Sequence, residues 1–160
     1  MPKTTKSLED FENIARDFID KILKQNSKIK DRDAGTVVGL FGELGAGKTT
    51  FVQNIAKNLG IKQKINSPTF VLLKRYPIPR ASLGKSKWDN LYHIDAYRLE
   101  GKDIKKELEI LGWNEIISNP RNLVLVEWPE ILKDFMPSKY NKIFISHTKN
   151  NQRKFEFKML

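Results

Sequence analysis

The stretch that most constrains this chain is an aliphatic run that halts on glycine and resumes as a helix. Thr36, Val37, Val38, Gly39, Leu40 and Phe41 are apolar almost without a break, so a strand formed here has to be covered on both faces. After Gly42 to Gly47, the residues Phe51, Val52, Ile55, Ala56 and Leu59 recur at helical spacing, and Gly60 stands where a helix C-terminal glycine belongs. Buried strand, glycine loop and helix, in that order, form a unit of α/β folds. The unit also turns backbone N–H groups and the positive end of a helix toward one point.

The loop carries its own chemistry. Gly42 and Gly47 enclose Glu43, Leu44, Gly45 and Ala46, and Lys48, Thr49 and Thr50 follow, which is the pattern of a phosphate-binding loop. Glycines permit the dihedrals that aim successive amides inward and let the main chain approach phosphate oxygens closely. Lys48 offers a point charge to β- and γ-phosphates, and the Thr49 hydroxyl is a ligand for Mg²⁺. The expected ligand is a nucleoside triphosphate, held by Gly42 through Thr50; the competing reading is a glycine turn capping an ordinary helix.

The rest of the chain supplies cover and acids. Ser7 to Leu23 places Leu8, Phe11, Ile14, Ala15, Phe18, Ile19, Ile22 and Leu23 at helical spacing, with Ser7 and Asp10 resembling a capping box. Thr69 to Tyr76 and Asn90 to Tyr97 read as strands, joined by a proline- and lysine-rich link, Pro77 to Asp89, expected as an exposed loop. Asp103 to Leu111 reads as a helix, and Leu123 to Val126 as a central strand ending in Glu127. Lys142 to His147 and Gln152 to Phe157 alternate as a terminal hairpin. The pattern predicts a three-layer α/β sandwich of the P-loop NTPase kind, with a mixed, mostly parallel sheet, residues 1–160 forming a single domain.

A phosphate loop of this kind works with acids at the metal or the attacking water. Glu127, at the carboxyl end of its strand, is the expected metal ligand, directly or through water; the plainer reading is a surface acid opening the loop before Pro129. Asp95 either orients or deprotonates water, or is a strand-edge carboxylate paired with Arg98 or a lysine. His93 reads as a hydrogen-bonded structural histidine rather than a base. Ser67, Pro68 and Thr69 stand where γ-phosphate-sensing switches occur, or form a plain turn. Trp128 either stacks on a ligand or fills a rim.

Composition narrows the setting. The chain has no cysteine and only two histidines, His93 and His147, which excludes disulfides and leaves too few ligands for a zinc cluster. No apolar run approaches the ~20 residues that cross a bilayer, and Met1 to Glu12 lacks the apolar region of a signal peptide, so a cytoplasmic location is expected. The 29 basic and 19 acidic residues give a net charge of +10, scattered from Lys3 to Lys158. That charge is either a solvated surface or steering toward an anionic partner such as RNA.

Five segments in order, Gly42 to Thr50 (GELGAGKTT), Ser67 to Phe70 (SPTF), Tyr92 to Leu99 (YHIDAYRL), Glu107 to Gly112 (ELEILG) and Leu125 to Glu130 (LVEWPE), closely resemble the bacterial TsaE family. The resemblance implies a Mg²⁺-dependent ATPase of slow intrinsic turnover that works with TsaD and TsaB in the threonylcarbamoyl modification of adenosine in tRNA, the tRNA being engaged indirectly or weakly. It implies Lys48, Asp95 and Glu127 as the catalytic set, with Thr49 and Glu127 as the metal ligands. Rival classes fit less well. A small-molecule kinase usually has an arginine-rich lid, and Arg75, Arg80 and Arg98 are dispersed; a GTPase would show Asp-x-x-Gly after the loop, and none follows. A basic nucleic-acid module with a vestigial loop is the remaining alternative.

Overall fold

The computed structural model describes residues 2–5, 7–27, 33–66, 72–79, 88–149 and 152–160. Seven strands form one sheet: β1 (Lys3–Thr5), β2 (Thr36–Phe41), β3 (Leu73–Pro77), β4 (Asn90–Asp95), β5 (Asn122–Glu127), β6 (Asn141–His147) and β7 (Arg153–Lys158). Their order across the sheet is β1-β7-β6-β2-β5-β4-β3. The four inner strands β6, β2, β5 and β4 run parallel, while β3 and the β6–β7 hairpin add antiparallel edges. The sheet is therefore mixed, with a parallel centre and a C-terminal hairpin.

The centre is parallel because β2 and β5 have no polar face to show to water. All six residues of β5 are buried, as are the first five of β2. Alternate side chains then feed two separate cores. Val38, Leu40, Leu123, Leu125, Ile143 and Phe155 pack under helices α1 (Leu8–Ser27) and α2 (Lys48–Asn58). Val37, Val124, Val126 and Ile94 pack against Leu108 of α3 (Ile104–Ile110) and against Trp113 and Ile116 of α4 (Trp113–Ser118) on the other side. Helix, sheet and helix make the three layers expected.

Local signals set the helix starts. At α1 the Ser7 N–H donates to Asp10 Oδ2 (2.9 Å) and the Asp10 N–H to Ser7 Oγ (3.2 Å), a reciprocal capping box. At α3 the Asp103 carboxylate accepts from the Lys106 N–H at 3.2 Å. Helix α1 runs four residues beyond its expected end at Leu23, to Ser27.

Several expectations are revised. Strand β4 ends at Asp95 rather than Tyr97, because the Asp95 side chain accepts from the Tyr97 N–H at 3.3 Å and starts a 3-10 turn over Ala96–Leu99. Strand β3 begins at Leu73; Thr69 to Val71 of the expected strand lie outside the described residues. The link from Pro77 to Asp89 is not simply exposed, since Ile78 and Trp88 at its two ends are buried. Trp88 is 0% exposed and its indole N–H donates to Thr36 Oγ1 at 2.9 Å, joining the link to the start of β2. Neither β1 nor α4 was anticipated.

Strand register positions the site. Along the parallel ladder Leu40 lies beside Glu127, and Glu127 beside Asp95. The carboxyl ends of β2, β5 and β4 are thus level, and two acids stand together where the loop after β2 begins.

Candidate functional site

The loop from Gly42 to Gly47 turns tightly out of β2. Gly42 has φ 150°, and a Cβ built on it would lie 2.3 Å from the Ile145 carbonyl oxygen of β6, so only glycine lets the chain leave the sheet here. Leu44 stands out at the tip, 81% exposed. Gly47 occupies the N-cap of α2 in a left-handed conformation, with no side chain bonded to the first turn. That leaves the helix's leading amides free of a competing side-chain cap, the condition under which they receive an anion. Arg153, the first residue of β7, donates from Nε to the Ala46 carbonyl at 3.1 Å and braces the loop from the hairpin.

Lys48 opens α2 and is almost wholly buried. Its ammonium donates to the Gly42 carbonyl (2.6 Å) and the Glu43 carbonyl (2.9 Å) and lies 3.9 Å from the centroid of the Trp128 ring. Burial lowers its pKa below the usual lysine value; Glu127, Glu130 and Asp95 oppose that shift by favouring the charged form. Trp128 reaches this stance through an unusual backbone, with φ 58°, while its N–H donates to the Leu40 carbonyl at 3.3 Å. Its ring also meets Tyr97 at 5.2 Å between centroids. The indole of Trp128 therefore covers the lysine rather than standing idle on a rim.

One helix turn carries Thr49 beside Lys48, and the end of β5 brings Glu127 to it. The Thr49 hydroxyl donates to Glu127 Oε1 at 2.8 Å, with Oε2 at 3.1 Å. Glu127 is 3% exposed, which sets aside the reading of a surface acid. Asp95, also buried, stands at the adjacent register position and within electrostatic reach of Lys48. The structure thus brings Lys48, Thr49, Asp95 and Glu127 to one edge of the sheet beside Gly42–Thr50, whereas Ser67, Pro68 and Thr69 lie outside the described residues.

The donor chemistry here suits a hard cation held with phosphates. A hydroxyl and a carboxylate are oxygen ligands, and magnesium bound to nucleotides takes only one or two from protein. No group of three or more His, Asp or Glu side chains is arranged to hold a metal by itself among the described residues. Sequence reasoning did not find the contribution of Arg153 or the placement of Trp128 over Lys48. Arg153 has no local signal, because its contact joins positions 46 and 153 across the fold.

Fold and site together define a nucleotide-binding α/β protein of the phosphate-binding-loop class. Residues 5–155 match the family model described as threonylcarbamoyl adenosine biosynthesis protein TsaE, and the chain belongs to that family, which takes part in tRNA threonylcarbamoyladenosine biosynthesis. It is 36% identical over 126 residues to the tRNA threonylcarbamoyladenosine biosynthesis protein TsaE of Bacillus subtilis, covering 77% of this chain and 69% of the relative. The protein of the same description from a Nostoc species is 39% identical over 124 residues, covering 77% and 70%. That of Rickettsia prowazekii is 36% identical over 134 residues, covering 83% and 81%. A crystal structure of Bacillus subtilis YdiB superposes with a TM-score of 0.66 at 25% identity, over 98% of this chain and 83% of that one.

Proposed function

We propose that this protein is a Mg²⁺-dependent ATPase that serves the threonylcarbamoyl modification of tRNA in the cytoplasm, acting with the TsaD and TsaB proteins. The observation that carries the reading is the meeting of the Thr49 hydroxyl with the Glu127 carboxylate at 2.8 Å, one residue from a buried lysine and at the end of a glycine loop. That constellation has the parts for holding a triphosphate and its cation; a glycine turn capping a helix would need neither the buried lysine nor the buried acid.

Geometry and charge support one set of roles. Gly42–Thr50 supplies backbone donors at the loop and at the unblocked start of α2. Lys48 sits on two loop carbonyls and, on this reading, exchanges them for phosphate oxygens, gaining charge-assisted partners in place of neutral ones. Thr49 and Glu127 would hold the magnesium ion, which when bound neutralises charge on the β- and γ-phosphates. Asp95, level with Glu127, orients the attacking water and accepts its proton. Ser67–Thr69 would sense the γ-phosphate. The family resemblance carries the expectation of slow turnover alone and stimulation in the complex, where an arginine donated in trans would be worth about 10³–10⁵ in rate.

Three further points bear on partners and setting. No helix among the described residues is long and apolar enough to cross a membrane. The chain has no cysteine, so no partner is joined to it by a disulfide. On this reading contact with tRNA is indirect or weak.

The test is ATP turnover with and without cognate TsaD and TsaB. The parent protein is expected to hydrolyse ATP only with Mg²⁺ and to be accelerated by the pair, while Lys48→Ala and Glu127→Ala lose turnover yet remain folded. Undiminished turnover in both variants, or transfer of the γ-phosphate to a metabolite rather than water, refutes the assignment.

A further inference from the structure

Strand β4 carries an imidazole where an inner strand usually carries an aliphatic side chain. His93 is 0% exposed and lies between Leu125 of β5 and Lys74 of β3 in the ladder, two residues before Asp95. An imidazole buried in this way forfeits apolar contact and pays for desolvation of two ring nitrogens, so its retention needs a compensating bond. One is present: Nε2 is 2.8 Å from Glu127 Oε1. Nδ1 is buried and has no hydrogen-bond partner among the described residues. A proton on Nε2 makes this contact a donation to the carboxylate, which accepts and does not donate when ionised.

Glu127 is consequently held from two sides. Oε1 receives both the His93 Nε2–H and the Thr49 hydroxyl, and Oε2 remains within 3.1 Å of that same hydroxyl. Rotating the carboxyl group breaks at least one of these bonds.

We propose that His93 is a positioning residue, whose Nε2–H fixes the Glu127 carboxylate against Thr49 in the orientation in which the two would hold a magnesium ion. This rests on the reading of Thr49 and Glu127 as the ligands of that ion. Outer partners of this kind are worth about 10–100-fold in metal affinity.

Two substitutions separate positioning from packing. The Gln amide reaches the place of imidazole Nε2, whereas the Asn amide reaches only that of Nδ1. The measurement is binding of a fluorescent ATP analogue to the full chain as magnesium is titrated, with thermal unfolding recorded alongside. His93→Asn is expected to raise the magnesium concentration for half-saturation about tenfold while leaving magnesium-free nucleotide affinity within twofold. His93→Gln restores most of that loss, and in a Glu127→Gln background neither substitution has a further effect. Equal behaviour of the Asn and Gln variants, or loss of magnesium-free binding in step with stability, would mean that His93 only fills space and would overturn the proposal. Should the Asn variant fail to fold, the parent protein still decides: nitrogen NMR of His93 is expected to show a protonated Nε2, and a bare Nε2 overturns it. A parent protein whose nucleotide binding ignores magnesium defeats the functional reading itself and this proposal with it, an outcome distinct from intact magnesium dependence that His93 does not influence.

Discussion

Replacing the first glycine of the loop tests whether the phosphate cradle and the sheet are mechanically one piece. In Gly42→Ala the added Cβ would lie 2.3 Å from the Ile145 carbonyl oxygen, well inside the 3.0 Å that real Cβ atoms respect, and 3.2 Å from the Ala46 Cβ. The carbonyl belongs to β6, which is paired on one side to β2 and on the other to β7, so it has no room to retreat. Relief comes only from shifting the loop or loosening the ladder. Adding overpacking of about 1–3 kcal/mol to the cost of a sparsely populated backbone region gives a destabilisation of about 3 kcal/mol. For a chain of this size that lowers Tm by about 6–12 °C. In urea, with a slope of about 2 kcal/mol per molar, the midpoint falls by about 1.5 M.

Gly45→Ala is the matched control. Gly45 also has positive φ, 76°, but nothing lies within 4 Å of its added Cβ, so only the left-handed backbone is penalised, at about 1 kcal/mol. Equilibrium unfolding of the parent and both variants in urea is the assay. Equal shifts for the two variants, or less than about 1 kcal/mol for Gly42→Ala, would refute the claim that β6 walls in the loop.

Other expectations are independent of that one. Trp88→Phe removes buried volume and the bond to Thr36 Oγ1, and is expected to cost about 2 kcal/mol in urea unfolding; a neutral result would mean that the link does not anchor β2. Ser7→Ala breaks the capping box of α1 and is expected to lose about 1 kcal/mol, read the same way. Lys48 has a folded pKa below 10.5 because it is buried, so between the lowered value and 10.5 the unfolded chain binds more protons than the folded one. Stability of the parent relative to Lys48→Met therefore rises with pH across that window, and a difference that stays flat or falls contradicts the burial argument.

What the sequence revealed and concealed follows from contact range. Thr36–Phe41, the glycine loop and Lys48–Asn58 were readable because strand, turn and helix signals are local and adjacent. The position of Glu127 was readable because four aliphatic residues announce a central strand and the acid stands at its end. The hydroxyl of Thr49 at 2.8 Å from it was not, since that contact depends on how β2 and β5 register. Strand β1 was invisible for the same reason: three residues have no pattern of their own, and they form a strand by pairing with β7 at the other end of the chain. Trp88 was misjudged because its flanking prolines and lysines describe the link rather than its anchored end. Asp95 ended a strand that apolar alternation would have continued, because its side chain bonds a neighbouring amide.

The central claim is that Lys48, Thr49 and Glu127 form one triphosphate and magnesium site at the carboxyl edge of the sheet. Calorimetric titration of the folded protein with ATP, with and without Mg²⁺, tests it most directly. The account predicts binding that magnesium strengthens, and loss of that strengthening in Thr49→Ala with magnesium-free binding retained. Absence of any heat with ATP and Mg²⁺, or strengthening that persists without the Thr49 hydroxyl, would contradict it.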